Sequence, residues 1–255
     1  MRKLWILSAI ILSAAAAGAQ SIATPAELVK AMHDRYSGKW YHTLSFEQQS
    51  ITHKEDGTTS TEIWHESLQL PGNLRVQIGD PAAGNGMLFT KNQLYIFRDG
   101  KLANQRDYLH PLLILGFDVY AQPVDVTLQE LKDLHFDLSV MHEEDFDGRP
   151  AYVVGAAKGD LQAKQFWIDK EHLYFVRLIE HSEREPQTLQ DIRFADYKQV
   201  EGGGWVAEHV EVIANGKLVF EERYSDVKIN PTLKAGLFDP EKAVQQKPAA
   251  PAQKP

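Results

Sequence analysis

The sequence predicts a mainly β protein with a few helices: a strongly curved antiparallel sheet, or incomplete β-barrel, capped by short α-helices. Three observations predict it. Apolar residues alternate with polar ones at a period of two through most of the chain, as half-buried strands require. Turn pairs such as Asp56-Gly57, Asp99-Gly100 and Asn215-Gly216 separate consecutive runs, where hairpins need positive-φ residues. The runs amount to about a dozen strands with no obvious second domain, and a sheet that long accumulates twist and curls.

In chain order, residues 1–19 read as a cleavable signal peptide. Arg2 and Lys3 form the positive start, residues 4–12 are almost wholly apolar, and Ala17-Gly18-Ala19 is the small-x-small pattern before a cleavage site. That apolar stretch is shorter than the roughly 20 residues a membrane span needs. Residues 20–240 are expected to form one domain, and 241–255, rich in Pro, Ala, Lys and Gln, a disordered tail. The sequence has no cysteine, which excludes a lipid-modified N-terminal cysteine and disulfides alike. The address implied is the periplasm, with the protein soluble and free to diffuse.

The domain opens with a helix. Thr24, Pro25 and Glu27 make a capping box with proline at the first helical position. Leu28, Val29, Met32 and Tyr36 follow at helical spacing until Ser37-Gly38. The period then changes to two. Leu44 and Phe46 alternate with polar residues, and Trp64, Leu68 and Leu70 do so on the return strand. Pro71-Gly72-Asn73 turns the chain into a strand with Leu74, Val76 and Ile78, and runs 87–90, 93–98 and 101–106 continue the meander. Between His110 and Leu134 the alternation stops. Residues 111–120 place Leu112, Leu115, Val119 and Tyr120 on one helical side, and Gln122-Pro123 ends that run. Residues 127–134 read as a second short helix, capped by Asp125 or Thr127. Strands resume over 136–145, 151–157, 163–169, 173–180, 188–200, 205–214 and 217–229.

One hairpin stands out. Closing Asp169 against His172 pairs Ile168 with Leu173 and Phe166 with Phe175 on one face, and Trp167 with Tyr174 and Gln165 with Val176 on the other. Both faces are largely apolar, so this hairpin either packs on two sides or lines an apolar space.

Composition excludes several function classes. The net charge of −8, with no basic run, disfavours nucleic acid. No G-x-S-x-G elbow, H-E-x-x-H pair, glycine-rich phosphate loop or cysteine nucleophile is present, so an enzyme is not expected. The ten histidines are scattered without ligand spacing, and Glu143-Glu144-Asp145 lacks the regularity of a calcium loop, so neither metal nor cofactor is expected. What remains is apolar. Leu44, Phe46, Trp64, Phe89, Tyr95, Phe97, Leu112, Leu115, Phe166 and Ile168 are the candidate ligand-binding residues. Singly, each reads as core; together, on a curved sheet with apolar helices at its mouth, they suit a concave small-molecule cavity.

The leading helix ending in Tyr36, the strand with Phe46, Phe166-Trp167-Ile168-Asp169 followed by Val176-Arg177-Leu178, then Tyr197, Gly203 or Gly204 and Leu237-Phe238-Asp239-Pro240 carry a family resemblance. The sequence resembles the LolA-like outer-membrane lipoprotein-sorting proteins. The resemblance implies an unclosed barrel under helices, with a cavity that takes a lipoprotein acyl chain or another lipid. It also implies membrane-bound donor and acceptor proteins for a monomeric carrier. Burial at roughly 0.8 kcal/mol per CH₂ gives a chain of about 16 carbons on the order of 10 kcal/mol. The 111–120 and 127–134 helices would be the lid; Arg177 reads either as a plain surface arginine or as a latch that holds the lid shut through backbone carbonyls. The alternative is an envelope interaction or sensor protein of the same fold with a filled core; a lipid hydrolase is a third reading. The acidic balance and the Pro/Ala/Lys tail depart from the family pattern and leave the cargo open.

Overall fold

The computed structural model describes residues 22–244. The expected signal peptide, 1–19, and residues 245–255 of the expected tail lie outside the described residues. Helix α1 (Pro25–Tyr36) starts as its capping box dictates. The Thr24 hydroxyl accepts from the Glu27 N–H at 3.2 Å, and the Glu27 carboxylate accepts from the Thr24 N–H at 3.0 Å. The chain then forms β1 (Thr43–His53), β2 (Thr59–Gln69), β3 (Asn73–Ile78), β4 (Gly86–Thr90), β5 (Gln93–Arg98) and β6 (Lys101–Asp107). Next come α2 (Pro111–Gly116), a 3₁₀ turn (Asp118–Tyr120) and α3 (Val124–Asp133). Strands β7 (Met141–Phe146), β8 (Arg149–Val154), β9 (Gln165–Asp169), β10 (Phe175–His181), β11 (Leu189–Gln199), β12 (Trp205–Ala214) and β13 (Lys217–Ile229) follow. Helix α4 (Pro240–Val244) ends the described residues, so regular structure runs past the expected boundary at residue 240.

All 13 strands lie in one antiparallel sheet, ordered β6-β5-β4-β3-β2-β1-β13-β12-β11-β10-β9-β8-β7. The first and last strands pair at its centre. The edges are β6 and β7, which do not pair, so the sheet is curved but not closed into a barrel. The segment joining those edges carries α2, the 3₁₀ turn and α3. This strap crosses the concave face, so it caps a sheet whose two ends it also connects. The main core forms between them: Leu44, Leu68, Phe166, Ile168, Phe175 and Leu178 from the sheet meet Leu28 and Met32 of α1, Leu113 and Leu115 of α2, and Leu131 of α3. Among the described residues no helix is long and apolar enough to cross a membrane.

Several local expectations change. The helix expected over 111–120 breaks at Phe117, whose φ of −139° and ψ of −58° end α2 and restart the chain as 3₁₀. Helix α3 begins at Val124 after Pro123, with no side-chain cap. Thr127 is instead buried inside α3, accepting from the Gln122 amide at 3.0 Å. The strand expected from residue 136 begins at Met141; Phe136 is core, stacked edge-on to Phe166.

The 169–172 hairpin keeps its faces but not its register. Asp169 accepts from the His172 N–H at 2.6 Å, and Leu173 adopts a φ of +57°, which widens the turn. Ile168 therefore pairs with Phe175, and a bulge at Val176 sets Trp167 against Arg177 and Phe166 against Leu178. Phe166, Ile168 and Phe175 face the main core, while Trp167, Tyr174 and Val176 join Ala151 and Val153 in a second cluster outside it. The hairpin is buried on both sides. A third cluster lies outside β3–β5, where Leu88 and Phe97 meet Ala243 of α4 and Phe238.

Candidate functional site

The concave face, the strap and α2 enclose a cavity of about 120 Å³. Its sheet wall is built by period-two alternation. Phe46 comes from β1, Trp64 and Leu68 from β2, Leu74 and Val76 from β3, and Met87 and Phe89 from β4. Leu112, Leu113 and Phe117 close it from the strap. A second hollow of about 330 Å³ shares Met87 and Phe89 with it and opens beside Arg106, Pro111 and Leu134. Ion pairs flank this mouth: Arg106 with Glu183 at 3.1 Å and Lys164 with Glu180 at 2.8 Å.

Among the candidate ligand-binding residues, the structure brings Phe46, Trp64, Phe89 and Leu112 to this cavity. Leu44, Phe166 and Ile168 are fully buried in the core without lining it, and Leu115, on the core-facing side of α2, is 1% exposed. Tyr95 and Phe97 face the opposite side of the sheet, beneath the C-terminal segment. Residues 94–97 are Leu-Tyr-Ile-Phe, apolar at both parities, so alternation alone could not choose the inward pair. The inward residues are Leu94 and Ile96.

Arg177 does not touch the strap. Its guanidinium forms a bidentate pair with Asp191, both contacts 2.7 Å, and lies over Trp167 at 4.8 Å on the outer face. Other contacts hold the strap. The Asp118 carboxylate, 3% exposed, accepts from the Gly72 N–H at 2.9 Å. The Phe175 N–H donates to the Tyr120 hydroxyl at 3.1 Å, and Tyr120 stacks on Trp40 at 3.8 Å. The Gln122 amide donates to Glu130 at 2.6 Å.

The cavity also holds polar residues that were not anticipated. Glu66 and Glu222 line it from the two strands flanking β1, and His110 lines it from the strap's start. Burial pushes the Glu222 carboxyl up to about 7; the Tyr224 hydroxyl donates to it at 2.7 Å. Burial, then the charge of Glu222, holds the Glu66 carboxyl well above the usual carboxylate range. Burial pushes His110 down to about 4, so its imidazole is neutral at ordinary pH; it packs on Phe89 at 4.6 Å. The signal for both carboxyls is present in the sequence. Glu66 lies between Trp64 and Leu68, and Glu222 between Phe220 and Tyr224, each at period two on an apolar face. No group of three or more metal-ligating side chains converges among the described residues.

No family model matches the sequence, and no curated protein matches it significantly. Solved structures do match in fold. A domain named as an outer membrane lipoprotein-sorting protein, from Vibrio parahaemolyticus, superposes with a TM-score of 0.56 at 14% identity, covering 86% of this chain and 97% of its own. A DUF1329 family protein from Desulfovibrio piger gives 0.54 at 14% identity, with 86% and 97% covered. A LolA superfamily protein from Nitrosomonas europaea gives 0.53 at 14% identity, with 87% and 100% covered. With its unclosed antiparallel sheet and strapping helices, this chain has the LolA-like fold.

Proposed function

We propose that the protein is a soluble periplasmic carrier or binding protein that holds a lipoprotein acyl chain or another lipid between its curved sheet and its helical strap. The observation that carries this reading is the apolar cavity under the strap, which shares the wall residues Met87 and Phe89 with the hollow at the sheet's open edge. At about 120 Å³ the inner cavity is smaller than the roughly 300–1,000 Å³ typical of ligand pockets. On this reading the described form is closed, and cargo enters as the strap moves off the sheet. The strap is suited to that. It is tied by a few hydrogen bonds and by apolar packing of Leu113, Leu115, Tyr120 and Leu131, not by sheet pairing. The fold neighbours add support, since one is named for lipoprotein sorting and another for the LolA superfamily.

The test is mass spectrometry of an organic extract of the purified protein, together with uptake of the neutral apolar probe N-phenyl-1-naphthylamine. Lipid at near one per chain, or saturable probe uptake, is the expected result. A clean extract with no uptake would overturn the carrier reading and favour an interaction protein with a filled core.

A further inference from the structure

An apolar cavity has no need of carboxyls, yet two line this one. Glu66 and Glu222 enter it from either side of β1. Beside it lies a surplus acceptor. Gln48, fully buried on the concave side of β1, pairs across to Trp64 and Tyr224, both cavity-lining. Its Nε2 donates to Ser50 at 2.9 Å, but its Oε1 has no partner. A buried acceptor without a donor costs about 1–3 kcal/mol, so the Gln48 oxygen is positioned for a donor that arrives. No lysine or arginine lines the cavity. The neighbouring rings, with Phe46 and Tyr224 stacked at 4.1 Å, offer faces that attract cations and not anions.

Building on the carrier reading, we propose that the cavity floor is a subsite for the ammonium group of an amine-bearing amphiphile, held between Glu66 and Glu222. The ammonium supplies the donor that the Gln48 Oε1 lacks, and its charge lets both carboxyls ionise. The inner cavity of about 120 Å³ suits the head group, and the chain runs along Met87 and Phe89 into the outer hollow of about 330 Å³. A carboxylate head meets two carboxyls there and, among the described residues, no lysine or arginine, so it binds more weakly than an ammonium. The titratable groups facing the subsite are Glu66, Glu222, Tyr224 and His110.

The test titrates decylamine, decanol and decanoic acid, each below its micelle concentration, into the purified protein. Decylamine is expected to bind about tenfold or more tightly than decanoic acid near neutral pH. Its binding should release protons, seen as an enthalpy that depends on the buffer. In the Glu66→Gln, Glu222→Gln double variant, and in Glu222→Gln alone should the double variant not fold, the preference for decylamine over decanoic acid and the proton release should fall. Decanol binding without an amine preference, or a preference that survives both substitutions, overturns the subsite alone. Failure of all three ligands to bind overturns the carrier reading and the subsite with it.

Discussion

Asp118 accepts a hydrogen bond from the backbone N–H of Gly72 at 2.9 Å, which ties the strap to the turn between β2 and β3. The contact matters because the strap shares no strand pairing with the sheet it covers. Asp118→Ala leaves the Gly72 N–H without that acceptor and should cost about 1–3 kcal/mol in chemical denaturation. It should also speed probe uptake in stopped-flow fluorescence, because the closed form loses a tie. Asp118→Asn keeps an acceptor oxygen and should retain the slow uptake.

Stability should fall as pH rises from about 5 to about 8. Burial raises the Asp118 carboxyl to about 7 and the Glu222 carboxyl to about 7, and Glu66 is raised as well. In the unfolded chain these groups ionise near pH 4, so the folded state holds protons the unfolded state has lost. Their contribution is fully present below the unfolded values and is lost as pH rises through about 7. Glu222→Gln should flatten this slope by on the order of 1–3 kcal/mol, read from denaturation midpoints across the range. At the acid end Asp191 works in the opposite sense. Burial opposes its ionisation, but Arg177 and Arg193 outweigh burial and hold it below the usual carboxylate range, so acid should unfold the protein by breaking that cluster.

Filling the cavity should block it. Leu112 lines the space from the strap and is only partly buried, so Leu112→Trp can place its ring in the inner hollow of about 120 Å³. Probe uptake should drop severalfold, while the melting temperature stays close to that of the parent. Leu115, at 1% exposure, cannot serve this purpose, because any polar replacement there damages the core itself.

Phe97 provides the contrast. It is 1% exposed beneath the C-terminal segment, with the Arg75 guanidinium 4.8 Å above its ring. Phe97→Ala should cost about 3–5 kcal/mol of stability. Probe affinity in the folded fraction should be unchanged, since the ring faces away from the cavity.

How much of this was legible follows from how local each cause is. The α1 boundaries were, because a capping box satisfies its own backbone groups within four residues. The hairpins marked by Asp-Gly and Asn-Gly were, for the same reason. The candidate site was legible only in part. Phe46, Trp64, Phe89 and Leu112 carried enough alternation or helical spacing to be placed at the cavity, whereas Tyr95 and Phe97 sat in an apolar run whose parity is decided by what covers each face.

By itself, then, the sequence determined a curved antiparallel sheet interrupted by two apolar helices, because period, turn chemistry and strand number act over short distances or accumulate along the chain. Only the tertiary structure decided that β13 returns to pair with β1, that the strap spans two unpaired edges, and that Glu66 and Glu222 meet across β1 in one cavity. The β1–β13 pairs and the placement of Glu66 with Glu222 join residues more than 150 positions apart. No local pattern encodes such pairings; they are selected by which closure of the whole sheet buries the most apolar surface.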